Sequence, residues 1–331
     1  MKKGLSIVTL LLFLISCKGD PKSRFVLSSS YGKSNNVLVV TKAKYWQTEV
    51  GIQLREFLGK LVVGLPQPET TFNVSQVAPV GFNSSMNKNR NILLVQIGEK
   101  ESFTIKENFY AAPQRLIYIT AKDEEGLLKQ LKKYKNKIVK TFRASDIKAL
   151  QQRFNEKRLD DSKFKTLKNL GISFTIPETY REVDDTGDFL WLRQYLHSGI
   201  ARGDGRNNIL VYAVPLTDEF DLDAKNNIII HRNEIGKKYI PGSKEGMYMI
   251  TEAAFSPETK SAKVANLDAY ETRGKWEVKN DFMAGPFINY TIVDKKNNRL
   301  IVFEGFTYAP SINKRDFVFE LEAIGKSIVI N

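Results

Sequence analysis

Cysteine and histidine are almost absent from this chain. Its 331 residues include one cysteine, Cys17, and two histidines, His197 and His231. A zinc site of the usual kind takes about four cysteine and histidine ligands, so none is expected. A serine or cysteine nucleophile activated by histidine is also unsupported, because the chain has no Gly-x-Ser-x-Gly motif. We therefore expect no metal, no cofactor, and a binding protein rather than an enzyme.

A hydrophobic run long enough to cross a bilayer is missing as well. The apolar stretch from Leu5 to Ile15 has 11 residues and follows Lys2 and Lys3, whereas a membrane-spanning helix needs about 20 residues. The pattern is typical of a signal peptide and not of a transmembrane anchor. With a single thiol the chain has no internal disulfide, so its cores must be stable without one.

The segment Leu14-Ile15-Ser16-Cys17 resembles a bacterial lipobox. This resemblance implies cleavage before Cys17 and acylation of Cys17, which attaches the protein to a membrane of the cell envelope. Two or three acyl chains hold a protein on a bilayer durably. The alternative is an ordinary signal peptide that is cut elsewhere, with Cys17 incidental. Lys18, where aspartate would retain a lipoprotein in the inner membrane, favours the outer membrane.

Positive charge is concentrated in the half of the chain next to this cysteine. Residues 17–162 contain 25 Lys and Arg against 14 Asp and Glu, whereas residues 163–331 contain 23 of each. Cations near an anionic membrane contribute about 1 kcal/mol each. We therefore expect the first half to rest on an anionic lipid or glycolipid surface, with simple solubilising charge as the alternative. Nucleic acid is not expected as a partner, because the lipobox implies export from the cytoplasm.

The hydropathy pattern divides the chain into four parts. These are a signal peptide (1–16), an acylated cysteine with a polar tether (17–35), a basic domain (36–162) and a neutral domain (163–331). Strands in the last part are grouped between two helices instead of alternating with them, which favours an antiparallel α+β fold. We predict an α+β protein of two domains, each with a mostly antiparallel sheet and packed helices.

The segments behind this prediction follow from hydrophobic periodicity and turn residues. Strands are predicted at 37–41, 72–77, 92–97, 115–120, 172–176, 189–196, 208–214, 247–253, 269–278, 287–293 and 300–308, and helices at 45–63, from 123, from 145, at 226–239 and at 314–328.

The helix predicted from Asp123 has an apolar stripe and an opposite face of lysines. Such a face suits contact with a membrane surface. The alternative is the solvated side of an ordinary amphipathic helix. The candidate residues of this basic face are Lys129, Lys132, Lys133, Lys137 and Lys140.

A second candidate surface lies in the predicted strands of the neutral domain. It comprises Trp191, Arg193, Glu271, Arg273 and Trp276. Alternation places Glu271 and Arg273 on one face of their strand, and Trp191 and Arg193 on one face of theirs. Arginine beside tryptophan suits a carboxylate, a sugar or a peptide. Core packing around a structural ion pair explains the same residues.

Several short motifs are spread along the chain. They are Leu65-Pro66-Gln67-Pro68-Glu69, Asn89-Arg90-Asn91-Ile92, Ala112-Pro113-Gln114, Arg273-Gly274-Lys275-Trp276, Met283-Ala284-Gly285-Pro286-Phe287, Tyr308-Ala309-Pro310 and Lys314-Arg315. Together with the lipobox, these motifs resemble one family of lipoproteins from Bacteroidota, the domain-of-unknown-function family 4837. The resemblance covers nearly all of the mature chain and implies a Gram-negative envelope, without any assigned activity or catalytic residues.

Two hypotheses for function follow from these patterns. The first is an envelope lipoprotein without enzymatic activity that binds a protein partner or an extended ligand. The second is a carrier of a small molecule or lipid, whose pocket in the neutral domain is lined by Trp191, Trp276 and Phe287.

Overall fold

The computed structural model describes residues 27–196, 205–218, 220–310 and 312–331. The predicted signal peptide, Cys17 and most of the tether lie outside the described residues, as does His197. The described residues form a five-stranded sheet, an eight-stranded sheet and a two-stranded sheet. The six described helices are α1 (Ala43–Trp46), α2 (Glu49–Leu58), α3 (Glu124–Glu156), α4 (Lys165–Leu170), α5 (Ala224–Tyr239) and α6 (Arg315–Gly325).

The first sheet has the strand order β2-β1-β3-β5-β4. Three of its pairings are parallel, and only β4 runs antiparallel to its neighbour. Parallel neighbours need a crossover connection, and α1 with α2 provides it between β1 and β2. The strands are β1 (Asn36–Val40), β2 (Asn73–Val77), β3 (Asn91–Ile97), β4 (Ser102–Glu107) and β5 (Arg115–Ala121).

The eight-stranded sheet is antiparallel throughout and has the order β10-β12-β13-β14-β9-β8-β7, with β11 also paired to β12. Its strands are β7 (Arg181–Asp185), β8 (Phe189–Leu196), β9 (Gly205–Pro215), β10 (Met249–Thr251), β11 (Glu258–Val264), β12 (Leu267–Val278), β13 (Ala284–Asp294) and β14 (Arg299–Tyr308). The remaining pair is β6 (Ile172–Ser173) with β15 (Val329–Ile330).

The predicted α+β class is therefore confirmed, with one correction of detail. The first sheet is mostly parallel, whereas we expected mostly antiparallel strands in both halves. The helices α2 and α3 pack on one face of this sheet. Strand direction was misjudged because it depends on which strands become neighbours, and the hydrophobic pattern of one strand does not contain that information. Strand β4 was not predicted, although Phe103 and Ile105 alternate with polar residues in it.

Helix α3 is the longest element and belongs to both halves of the structure. Its 33 residues begin after Asp123, whose carboxylate accepts from the backbone N–H of Gly126 at 2.8 Å. At 1.5 Å per residue the helix is about 50 Å long. It continues through Ser145, where a new helix was expected. The apolar residues before that point pack on the first sheet, and Leu150 and Phe154 enter the core of the second.

The second sheet carries helices on both faces. One face packs against α4, α6 and the end of α3, and the other face packs against α5. On the α6 side Gly305 allows the helix to come close, since a Cβ there would lie 2.8 Å from the Cβ of Leu321.

The first turn of α6 is held by a residue of the first half. Both oxygens of Glu69 accept from backbone N–H groups of this turn, Lys314 at 2.6 Å and Arg315 at 3.1 Å. A carboxylate at a helix start satisfies free N–H groups and complements the helix dipole. Nearby, the side chain of Asn35 donates to Asp316 at 3.0 Å. These contacts join the chain's first described residues to its last helix.

We predict that Glu69→Ala lowers the free energy of unfolding by about 1–3 kcal/mol, because it leaves buried N–H groups at the start of α6 without an acceptor. Urea denaturation followed by circular dichroism measures the change. Glu99→Ala is the control, because Glu99 is exposed in a turn. Equal stability of the two variants would show that Glu69 does not stabilise α6.

Candidate functional site

The five lysines of the predicted basic face are all exposed on α3. Among the described residues, no carboxylate lies within 4.0 Å of any of their Nζ atoms. From Gly126 to Ser145 the helix has seven basic residues and no acidic one. Like charges three or four residues apart destabilise a helix by about 0.2–0.5 kcal/mol per pair. The face is therefore a surface of uncompensated positive charge, and the prediction that it meets a membrane stays a prediction.

A groove of about 1110 Å³ runs beside this face, between α2, α3 and the end of α6. Its apolar lining comes from Phe57, Val139 and Ile147, and its acidic residue is Glu56. A smaller groove of about 650 Å³ lies on the other flank of α3. The larger groove is lined by six cationic residues, namely Lys60, Lys135, Lys140, Arg143, Lys148 and Lys326.

The second predicted surface is divided between two faces of the sheet. Trp191, Arg193 and Trp276 lie on the face that α5 covers. Glu271 and Arg273 lie on the face that α6 covers, where both are buried. The five residues therefore do not form one surface, because Trp276 is an odd number of positions from Glu271 and Arg273 along β12.

Glu271 and Arg273 belong to a buried cluster of charges under α6. Arg273 donates from Nε to Glu271 at 2.8 Å and from Nη2 to Glu322 at 2.7 Å. Glu322 also accepts from Arg143 of α3 and from Lys326, the latter at 2.7 Å. The cluster joins α3, α6 and β12. It gives the core-packing interpretation of Glu271 and Arg273 direct support.

The cations of this cluster control the ionisation of its carboxyl groups. Burial alone raises the pKa of Glu271, but Arg273, Lys326 and Lys260 outweigh burial and hold this pKa below its usual value of 4.5. In Glu322 burial is opposed by Arg143, Arg273 and Lys326, and the pKa is again below 4.5. A depressed folded-state pKa stabilises the protein above the unfolded-state pKa, and this stabilisation is lost as the pH falls.

We predict that Arg273→Met lowers the free energy of unfolding at pH 7 by about 3–5 kcal/mol, because it leaves two buried carboxylates short of a partner. Without Arg273 their pKa values rise, so the deficit should shrink as the pH falls below 4.5 and protonation removes the charges. Urea denaturation of both proteins over this range of pH tests the prediction.

Lys263→Met is the control for that experiment. Lys263 pairs with Asp268 at 2.7 Å, and both side chains are exposed. An exposed pair contributes about 0–1 kcal/mol. A cost for Arg273→Met no larger than for the control, or one that does not change with pH, would contradict the prediction.

On the α5 face, a cavity of about 230 Å³ opens between the sheet and the residues that follow α5. It is lined by Trp191, Arg193, Arg206, Asn208, Ile240, Pro241, Gly242, Ser243, Trp276, Val278, Met283, Phe306 and Tyr308. Of the pocket residues predicted for a carrier, Trp191 and Trp276 line it. Phe287 does not, and packs instead against the guanidinium of Arg232, 4.0 Å from the ring centroid.

Hydrogen bonds fix the tryptophans in the cavity wall. The Nε1 of Trp191 and the Nε of Arg193 both donate to the Oδ1 of Asn208 at 3.0 Å. The Nε1 of Trp276 donates to the backbone carbonyl of Thr307 at 3.2 Å. The indole N–H groups in the cavity wall are therefore already satisfied.

Two residues that contribute to these surfaces were not predicted from the sequence. Arg206 lines the cavity on β9, two positions before Asn208 and on the same side of the strand. The predicted strand began at residue 208 and therefore left Arg206 out. A strand predicted from residue 205 would have placed Arg206 on the same face as Asn208. Arg143 lines the groove and enters the charge cluster at the same time, and nothing in the sequence signals that double role.

The described residues contain neither a metal-binding cluster nor a membrane-spanning helix. No group of three or more His, Cys, Asp and Glu side chains among them is arranged to hold a metal ion. None of their helices combines the length and hydropathy needed to cross a bilayer.

Two family models match this chain, and both describe domains of unknown function. One, Domain of unknown function (DUF4837), matches residues 159–327. The other, Domain of unknown function (DUF8532), matches residues 30–155. The resemblance to family 4837 is thus confirmed for the second half, while the first half matches a separate model. No curated protein matches the chain.

Solved structures show distant likenesses over about half of the chain. The Ran-binding protein Mog1p of Saccharomyces cerevisiae is 10% identical with a TM-score of 0.33, and the match covers 48% of this chain and 90% of Mog1p. LpqN, involved in cell envelope biogenesis of Mycobacterium tuberculosis, is 13% identical with a TM-score of 0.31, and the match covers 48% and 83%. At these values neither likeness bears on function.

Proposed function

We propose that this chain, which belongs to the DUF4837 family, is a lipid-anchored binding protein of the bacterial cell envelope that holds α3 against an anionic membrane surface. The anchor is the acylated Cys17, and the outer membrane is favoured because Lys18 follows it. The observation that carries the proposal is the run of exposed lysines on α3 without carboxylate partners.

Electrostatics supports an anionic bilayer as the occupant of this face. Six lysines between Gly126 and Ser145 repel one another along one helix. Anionic headgroups remove this repulsion and add about 1 kcal/mol of attraction for each lysine near the surface. The membrane is the partner because the anchor brings it within reach of α3.

The length of the tether fits this arrangement. Leu27, the first described residue, is ten positions after Cys17, and an extended chain over ten positions spans at most about 35 Å. The backbone N–H of Asn35 donates to Asp146 on α3 at 2.9 Å. Asp146 is six residues from Lys140, or about 9 Å along the helix axis. An anchored Cys17 and the lysine face can therefore touch the same membrane.

The groove beside α3 extends the basic surface. Lys60, Lys135 and Lys148 line it and have no carboxylate within 4.0 Å among the described residues. Its apolar residues Phe57 and Val139 lie next to these cations. This combination suits the headgroup region of a membrane, where phosphate and the upper part of the acyl chains are close together.

We expect charge reversal of Lys132, Lys133 and Lys137 to glutamate to weaken binding to vesicles that contain anionic phosphatidylglycerol. The loss of about 1 kcal/mol of attraction per lysine predicts a decrease on the order of 100-fold. The protein for this test is the mature chain, residues 17–331, with Cys17→Ser so that no acyl chain contributes. Cosedimentation with vesicles measures the binding.

The control reverses the same number of charges elsewhere. Lys244, Lys295 and Lys296 are exposed in the second half, and their reversal changes the net charge equally. This variant should keep most of the binding, and phosphatidylcholine vesicles should bind neither protein strongly. Equal loss in both variants, or unchanged binding of the α3 variant, would contradict the proposal.

A further inference from the structure

The cavity on the α5 face combines two arginines with aromatic walls. Strand pairing places Arg193 opposite Asn208, and Arg206 opposite both Tyr195 and Tyr308. Residues paired in this way project from the same face of the sheet. The Arg193 guanidinium lies 4.7 Å from the ring centroid of Trp191.

The positive charge of this cavity has no counterion in the described residues. No carboxylate lies within 4.0 Å of either Arg193 or Arg206. The Nε of Arg206 is buried and has no hydrogen-bond partner. Leaving a buried donor unsatisfied costs free energy, more so when the group is charged. The protein therefore keeps two neighbouring guanidinium groups, one of them incompletely bonded, beside an open space.

We propose that this cavity binds a small molecule in which one acidic group, a carboxylate or a phosphate, is attached to an apolar group about the size of one ring. Arg206 and Arg193 bind the acidic group, and Trp276 with Met283 packs against the apolar group. Guanidinium groups match carboxylate and phosphate oxygens in charge and geometry. This binding is independent of the contact between α3 and the membrane.

The dimensions of the cavity set the size of the molecule. Its volume of about 230 Å³ is larger than a cavity of roughly 150 Å³ that accepts benzene. It is smaller than the roughly 300–1,000 Å³ of pockets for drug-sized ligands. A single ring with one acidic group fits between these limits. A long acyl chain or an oligosaccharide is too large to be enclosed.

Saturation-transfer NMR on the mature chain tests the proposal with three probes. Sodium benzoate and phenyl phosphate carry the acidic group, and benzamide has the shape of benzoate without the charge. At least one acid should give a saturation-transfer signal that levels off as its concentration rises. Benzamide at equal concentration should not displace that acid. The tighter of the two acids identifies whether the cavity prefers carboxylate or phosphate.

Variants assign the binding to this cavity. Arg206→Gln should weaken binding of the acid at least 10-fold. Arg181→Gln is the control, because Arg181 lies opposite Arg193 on β7 but outside the cavity, and its guanidinium donates to the backbone carbonyl of Tyr180 at 2.8 Å. Met283→Trp fills the cavity without removing an arginine and should also abolish transfer.

Three results would overturn the proposal. They are equal binding of benzamide and the tighter of the two acids, unchanged binding in both Arg206→Gln and Met283→Trp, and no saturable transfer from either acid. Thermal denaturation of each variant shows whether it is folded. If Arg206→Gln does not fold, Met283→Trp decides the outcome.

Discussion

The ion pairs of the buried Glu322 carboxylate are the interactions on which the packing of α3, α6 and β12 depends. This carboxylate accepts from Arg143 of α3 and Arg273 of β12, and from Lys326 just after its own helix. Bringing such charges out of water costs several kcal/mol per ion unless each is paired in good geometry. The three elements must therefore meet in one arrangement. Because α3 also packs on the first sheet, this cluster fixes the two sheets relative to each other.

The same arrangement decides which side of α3 is free. The inner side of the helix is used in two cores and in the charge cluster. Its outer side carries lysines that no described acidic residue approaches within 4.0 Å. A helix of this length stabilises the fold through one face and leaves the other exposed. The contact with a membrane proposed for this protein follows from that division, together with the predicted anchor at Cys17.

Sequence periodicity predicted the elements with strong hydrophobic patterns and missed those without. The long strands β8, β12, β13 and β14 and the capped start of α3 were found from their own residues. The edge strands β7 and β11 are mostly polar and exposed, so their alternation carries little signal, whereas β4 was missed although Phe103 and Ile105 alternate with polar residues in it. The parallel direction of the first sheet depends on which strands become neighbours, and a single sequence does not contain that information.

The candidate sites show the same limit. Exposure of the α3 lysines followed from helical spacing alone, as predicted. The grouping of Trp191, Arg193 and Trp276 with Glu271 and Arg273 was wrong because they occupy opposite faces of one sheet. Alternation of side chains along β12 already places Trp276 and Arg273 on opposite faces. The position of Arg206 beside Arg193, however, follows only from the pairing of β8 with β9. Residues that act together across strands were therefore the least predictable part.

Lysine footprinting of the acylated mature chain on vesicles tests the central claim most directly. A small amine-acetylating reagent is applied to the protein on phosphatidylcholine vesicles and on vesicles that also contain phosphatidylglycerol, and peptides are quantified by mass spectrometry. We expect Lys129, Lys132, Lys133, Lys137 and Lys140 to be protected only on the anionic vesicles, while Lys244, Lys295 and Lys296 react equally on both. Equal acetylation of the α3 lysines on the two kinds of vesicle would contradict the claim that this face lies on an anionic membrane.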